Sequence, residues 1–163
     1  MSVLINIDLI KESLHPFHSG CYQIIFLLNR PILLKVGALC TLHLEEGYFI
    51  YTGRHRKALA ARINRHLQKH KRIYWHVDYF TSHRAFQVKH LVIYPGVDAE
   101  CQLNQAFREF LGARVVYPGL GSGDCQKHCA AHMHYCEMIP EKSIIQWLSL
   151  QSELKPIYFS SET

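Results

Sequence analysis

Residues 47–72, GYFIYTGRHRKALAARINRHLQKHKR, constrain this chain more tightly than any other stretch. They open with aromatic and β-branched residues (Tyr48, Phe49, Ile50, Tyr51, Thr52), which favour a strand. The chain turns at Gly53 and passes into a helical pattern predicted over 58–70. Leu59, Ile63 and Leu67 recur every four residues and form its apolar stripe. Arg62 and His66 stand beside that stripe one turn apart, so they share a face, and Lys69 extends the same edge. No Asp or Glu occurs between Glu46 and Asp78, whereas residues 54–72 hold eight of the chain's 18 Lys and Arg. Positive charge this concentrated suits an anionic partner, nucleic acid ahead of a membrane. Arg54, Arg56, Lys57, Arg65 and Lys69 are the candidate contacts. A solvated basic helix with no partner would give the same pattern.

The rest of the composition sets bounds. At 163 residues the chain is expected to form one domain with a real core. Hydrophobic residues make up 48% and charged residues 19%, which excludes a disordered chain. No apolar run is long enough for a membrane-spanning helix. The first residues are acidic rather than basic, unlike a signal peptide, so a cytoplasmic location is expected. In that compartment six Cys argue for free thiols or metal ligands rather than a disulfide framework.

Residues 1–19 read as an arm or short helix broken by Pro16. Strands are predicted at 20–28, 32–36, 48–52 and 88–94, with 37–47 a loop that has room for a short strand. Residues 74–80 (YWHVDYF) read as strand or tight loop. Asp98 is a natural N-cap for a helix over 99–111, with Gly112 as its stop. A final helix is predicted over 141–154. The expected fold is α+β: a small, central, mostly antiparallel sheet flanked by helices. A short N-terminal arm would precede this core and a C-terminal helix would follow it.

Three groups of side chains carry candidate chemistry. Glu100, in the first turn of its helix, would point inward along the core edge. Trp75, His76 and Asp78 would either wall a cleft, with His76 and Asp78 hydrogen-bonded and Trp75 offering a base-stacking face, or pack into an aromatic corner where Asp78 ties down a loop. Residues 117–135 are rich in Gly, Cys and His. On a helix Cys125, Cys129 and His132 would share one face, and Cys101 would join them if the two segments meet. Cys₃His is a common zinc set. Buried thiols with surface histidines are the simpler reading, and a redox-sensitive thiol pair lies between.

Taken in order, these landmarks resemble the GIY-YIG nuclease superfamily, and within it the uncharacterised branch called domain of unknown function 123. Gly20-Cys21-Tyr22 stands where the superfamily has Gly-Ile-Tyr, and Tyr51-Thr52-Gly53 where it has Tyr-Ile-Gly. Leu59-Ala60-Ala61-Arg62 matches the helix with the catalytic Arg, His66 a His one turn later, and Glu100 the metal-binding Glu. Tyr74-Trp75-His76-Val77-Asp78-Tyr79 and Gly121-Ser122-Gly123-Asp124-Cys125 match motifs of the branch, with Tyr74 in place of a His. The two tyrosine motifs lie further apart than in the typical nuclease, a feature the branch shares.

The resemblance, which covers roughly residues 20–135, implies a metal-dependent endonuclease acting on DNA ahead of RNA, with a DNA-repair protein as a partner. Glu100 would hold Mg²⁺ or Mn²⁺ and Arg62 would bind phosphate. Tyr22 or Tyr51 would position or deprotonate a water, and His66 would orient the phosphate or share the proton transfer. A binding module that kept the fold without cleavage is the alternative.

Overall fold

The computed structural model describes residues 5–123 and 125–161. Its order is α1 (Ile7–Leu14), β1 (Gly20–Leu28), β2 (Ile32–Val36), β3 (Cys40–Leu44), β4 (Gly47–His55), α2 (Leu59–Leu67), α3 (His76–Thr81), β5 (Phe86–Pro95), α4 (Glu100–Leu111), β6 (Arg114–Val115), β7 (Met133–Cys136), α5 (Glu141–Leu150) and β8 (Ile157–Ser160). Six strands form one sheet in the order β6-β7-β4-β1-β5-β8, and β2 and β3 pair as a separate hairpin. Every pairing is antiparallel. The fold is therefore α+β, as the sequence predicts. Among the described residues no helix is long and apolar enough to cross a membrane.

Both faces of the sheet are covered, which is why β1 reads as a nearly continuous apolar run, GCYQIIFLL. Alternate residues go to opposite faces. Tyr22, Ile24, Phe26 and Leu28 join the core beneath α1, α2 and the β2–β3 hairpin, with Phe49, Tyr51, Leu59, Ile63 and Phe80. Cys21 and Ile25 join the opposite core with Val92, Tyr94, Leu103, Phe107, Ile144 and Trp147 beneath α4 and α5. Fully burying one such aliphatic or aromatic side chain contributes about 1.5–3 kcal/mol.

The second core contains a polar chain. Trp147 Nε1 donates to Tyr94 Oη at 2.8 Å, and Tyr94 Oη donates to Gln23 Oε1 at 2.6 Å. Gln23 Nε2 then donates to the Leu103 carbonyl of α4 at 3.3 Å. This chain ties α5, β5, β1 and α4 together without a charge.

Several local expectations are corrected. Where a strand or tight loop is expected over 74–80, Tyr74 and Trp75 are loop and α3 begins at His76, because the Asp78 carboxylate accepts from the backbone N–H groups of Tyr74 and Trp75. Asp98 does not cap α4; Ala99 holds that position, and Asp98 pairs with Arg54 instead. Gly112 does end α4, at φ +63°, a left-handed value a side chain would resist. Cys125, Cys129 and His132 lie on an irregular loop, not a helix. The basic helix ends at Leu67, where Lys71 Nζ donates to the carbonyls of Arg65 and His66. Strands β7 and β8 fall where the sequence shows no clear strand signal.

Candidate active-site cleft

A cleft of about 1010 Å³ opens between α2, α3, the start of α4 and the loop before β7. The β1–β4 register explains one side of it. Gly53 lies directly opposite Tyr22, and Tyr51 opposite Ile24. A Cβ at position 53 would sit 2.6 Å from Tyr22 Oη. Only glycine leaves room there for the Tyr22 ring, so the Tyr-x-Gly ending of β4 follows from what β1 presents to it.

The structure separates the predicted residues into two layers. Tyr51, Arg62 and Glu100 reach the cleft, together with Arg54, Arg56, Lys57, Trp75 and His76. Tyr22 and His66 lie beneath it, both essentially buried. Tyr22 Oη and His66 Nε2 are 2.8 Å apart, and the Tyr22, Tyr51 and His66 rings form a triangle with centroid separations of 5.5–6.2 Å. Burial raises the Tyr22 phenol well above its ordinary range, with Tyr51 adding to the shift. Burial also lowers His66 to about 3, helped by the Lys71 charge, so the ring is neutral at physiological pH. His66 Nδ1 and Asp78 Oδ1 are 4.0 Å apart, and each lacks a hydrogen-bond partner among the described residues.

The two walls differ in how their charges are used. On the α2–α3 wall, Arg65 donates to Asp78 Oδ2 at 2.6 Å and to the Arg72 carbonyl at 2.7 Å. Lys69 Nζ donates to the His83 and Phe86 carbonyls. Of the expected nucleic-acid contacts, these two therefore serve the fold and do not line the cleft. The Arg62 guanidinium lies 4.0 Å from the Trp75 ring centroid and faces the cleft with no carboxylate partner among the described residues. Trp75 thus carries a cation on its ring, and the more exposed aromatic beside it is Tyr74. His76 Nδ1 accepts from the Gly121 backbone N–H at 3.3 Å, which joins this wall to the opposite loop.

On the α4 wall, Glu100 is engaged at both oxygens. Arg54 Nε lies 3.2 Å from Oε2, and His132 Nδ1 lies 3.3 Å from Oε1. Arg54 also holds Asp98 at 2.7 Å. Behind Glu100 stand Cys101, Cys125, Cys129 and His132, whose ligand atoms all lie within 4.8 Å of one another and would hold a metal ion. The segments do meet, as the Cys101 expectation requires. Crowding pushes two of these thiols in opposite directions. Burial raises Cys125, but backbone hydrogen bonds at Cys129 and Lys127 outweigh it and bring the thiol down to about 6. Burial and the neighbouring thiols push Cys101 up to about 12. Asp124, singled out in the sequence, lies outside the described residues.

Sequence reasoning missed two residues that set this geometry. Gln23 anchors α4 through Leu103. Asn104, also on α4, donates to the Ala131 carbonyl at 2.8 Å and fixes the end of the loop. Asp78, expected either hydrogen-bonded in a cleft wall or tying down a loop, accepts from Arg65 and from the Tyr74 and Trp75 N–H groups and so organises the α2–α3 wall. A polar residue inside an apolar run, as Gln23 is within β1, was the available signal.

A model of the family described as Domain of unknown function DUF123 matches residues 21–151. No curated protein and no solved structure matches the chain.

Proposed function

The chain belongs to the family of domain of unknown function DUF123, and from the groups gathered in its cleft we propose that it is a divalent-metal-dependent endonuclease-like hydrolase of phosphodiester bonds in DNA. The observation that carries this reading is the convergence of Tyr51 from β4, Arg62 from α2 and Glu100 from the distant α4 on one cationic cleft. The GIY-YIG resemblance is the second support.

A hard cation such as Mg²⁺ or Mn²⁺ takes carboxylate oxygen, keeps several waters and accepts substrate phosphate as a further ligand. Glu100 fits that donor chemistry, and the half-exposed Arg54 beside Oε2 is the counter-ion such a cation would replace. When bound, the cation would supply Lewis-acid stabilisation of the phosphate charge.

The chain's own groups supply the rest. Arg62, held by Trp75, offers a planar fork to the non-bridging oxygens, where charge builds as water attacks phosphorus and the ester P–O bond breaks. Arg54, Arg56, Lys57 and Lys127 line the approach and suit a polyanionic backbone. Tyr51 presents its hydroxyl from the cleft wall to position the attacking water. Tyr22 and His66 act from below: their position suits support of Tyr51, not contact with phosphate. A DNA-repair partner is in keeping with this activity.

One observation favours a second reading. Because both Glu100 oxygens are engaged, the cleft is also suited to a non-catalytic DNA-binding module whose carboxylate serves only to hold Arg54. The deciding experiment is cleavage of branched, nicked and linear DNA with Mg²⁺ or Mn²⁺ by wild type, Arg62→Ala and Glu100→Ala. Cutting lost in both variants establishes the hydrolase. Salt-sensitive binding without cutting, weakened by Arg62→Ala, establishes the module.

A further inference from the structure

We propose that Cys101, Cys125, Cys129 and His132 form a tetrahedral zinc centre in the cleft wall, and that Glu100 orients its histidine ligand. Its value to the cleft rests on the hydrolase reading; the metal site itself does not.

The distances fit a tetrahedron around one ion. Bonds of about 2.3 Å to sulfur and about 2.0–2.1 Å to nitrogen imply edges of about 3.8 Å between sulfurs and about 3.5 Å between sulfur and nitrogen. Cys101 Sγ and Cys125 Sγ are 3.6 Å apart, and Cys101 Sγ and His132 Nε2 are 3.9 Å apart. A disulfide would need the two sulfurs at about 2.0 Å. Three thiols and an imidazole held this close, with every ligand atom within 4.8 Å of the others, are the donor set of a closed structural zinc site rather than of a hard cation.

The surroundings supply what such a site requires. The Glu100 carboxylate at His132 Nδ1 fixes the proton on that nitrogen, which leaves the Nε2 lone pair facing the thiols. Gln105 Nε2 donates to Cys129 Sγ at 3.6 Å, a contact that favours a thiolate. The ligands come from two places: Cys101 from the first turn of α4, the others from the irregular loop. That loop lines the cleft at Gly121, Gly123 and Lys127 yet has little regular structure of its own. One ion would fasten it to α4. The same ion, through His132, would hold Oε1 of Glu100 and leave Oε2 to the cleft. The cleft carboxylate and the thiol site are thus one unit, with one oxygen turned to each metal.

The full chain, purified under reducing conditions, would be assayed for bound metal by mass spectrometry, then stripped and titrated with Co²⁺ alone. One equivalent of zinc, and a Co²⁺ spectrum with thiolate charge-transfer and intense tetrahedral d–d bands, is expected. Cys129→Ser should weaken those bands; if that variant fails to fold, the wild-type spectrum decides. Chelator competition should show Glu100→Ala holding zinc about 10–100-fold more weakly, with Glu100→Gln recovering part through its amide oxygen. No stoichiometric metal, with all six thiols still titratable in the presence of zinc, overturns the centre, as does a Cys101–Cys125 disulfide. Unchanged affinity in Glu100→Ala overturns the link to Glu100 alone. Zinc bound without DNA cleavage leaves the centre standing and removes the hydrolase reading.

Discussion

The two walls of the cleft are built by different means. The α2–α3 wall rests on a deep apolar core, and its charges are spent on the fold: Arg65 on Asp78, Lys69 and Lys71 on carbonyl groups. Arg62 is left facing the cleft. The α4 wall rests on α4 and an irregular loop, and it is assembled from polar ties: Gln23 to Leu103, Asn104 to Ala131, Arg54 and His132 to Glu100. A wall held by packing gives fixed positions. A wall held by ion pairs and thiols has an arrangement that depends on what is bound there.

That contrast has consequences of graded size. The largest is expected at Asp78, which is fully buried and serves Arg65 and two backbone N–H groups. Asp78→Ala should cost about 3–5 kcal/mol in denaturant unfolding, because it strands a partly buried charge. A loss under 1 kcal/mol would mean the α2–α3 wall is no firmer than its neighbour. Arg62→Ala should lower single-turnover cleavage by about 10²–10³-fold, the scale for removing one preorganised charge donor. Its melting temperature should barely move, since no ion pair is lost.

Acid comes next. His66 binds its proton with a pKa of about 3 when folded and 6.5 unfolded, so between those values the unfolded state holds the extra proton. Stability is therefore fully present above pH 6.5 and lost as pH falls toward 3, by on the order of 2 kcal/mol at pH 5. His134, lowered by burial to about 4, adds to the loss. Urea midpoints at pH 7 and pH 5 should differ less in His66→Gln; an equal difference would take His66 out of the account.

Trp75→Ala removes the surface under Arg62 and should weaken DNA binding by about 0.5–2 kcal/mol, with Trp75→Phe intermediate. The smallest effect belongs to the exposed Arg54. Arg54→Gln should tighten Mn²⁺ binding by up to about fivefold, the scale of a surface ion pair. Weaker Mn²⁺ binding in that variant would show that Arg54 orients Glu100 rather than competing for it.

Legibility in the sequence followed the same division. Strands β1, β2, β4 and β5 and helices α2 and α4 could be read because their apolar pattern is the packing itself, as with Leu59 and Ile63. Arg62 and Glu100 were placed by their offset from those stripes. Periodicity said nothing about α3, which depends on one buried carboxylate accepting from two N–H groups. Nor did it reveal β7 and β8, which exist because they pair with β4 and β5. The clustered thiols were visible as residue types. Their convergence depends on how a loop returns to α4, which no local pattern encodes. Tyr22 and His66 were found, but their depth was not, because period alone cannot tell a cleft floor from what lies under it.

Tyr22 and Gln23 are consecutive on β1, the central strand, and point to opposite faces. Tyr22 supports the floor under Tyr51, while Gln23 holds α4 and with it Glu100. One peptide unit is therefore the common datum for both halves of the cleft. Shifting that strand by a single residue would misplace both halves together.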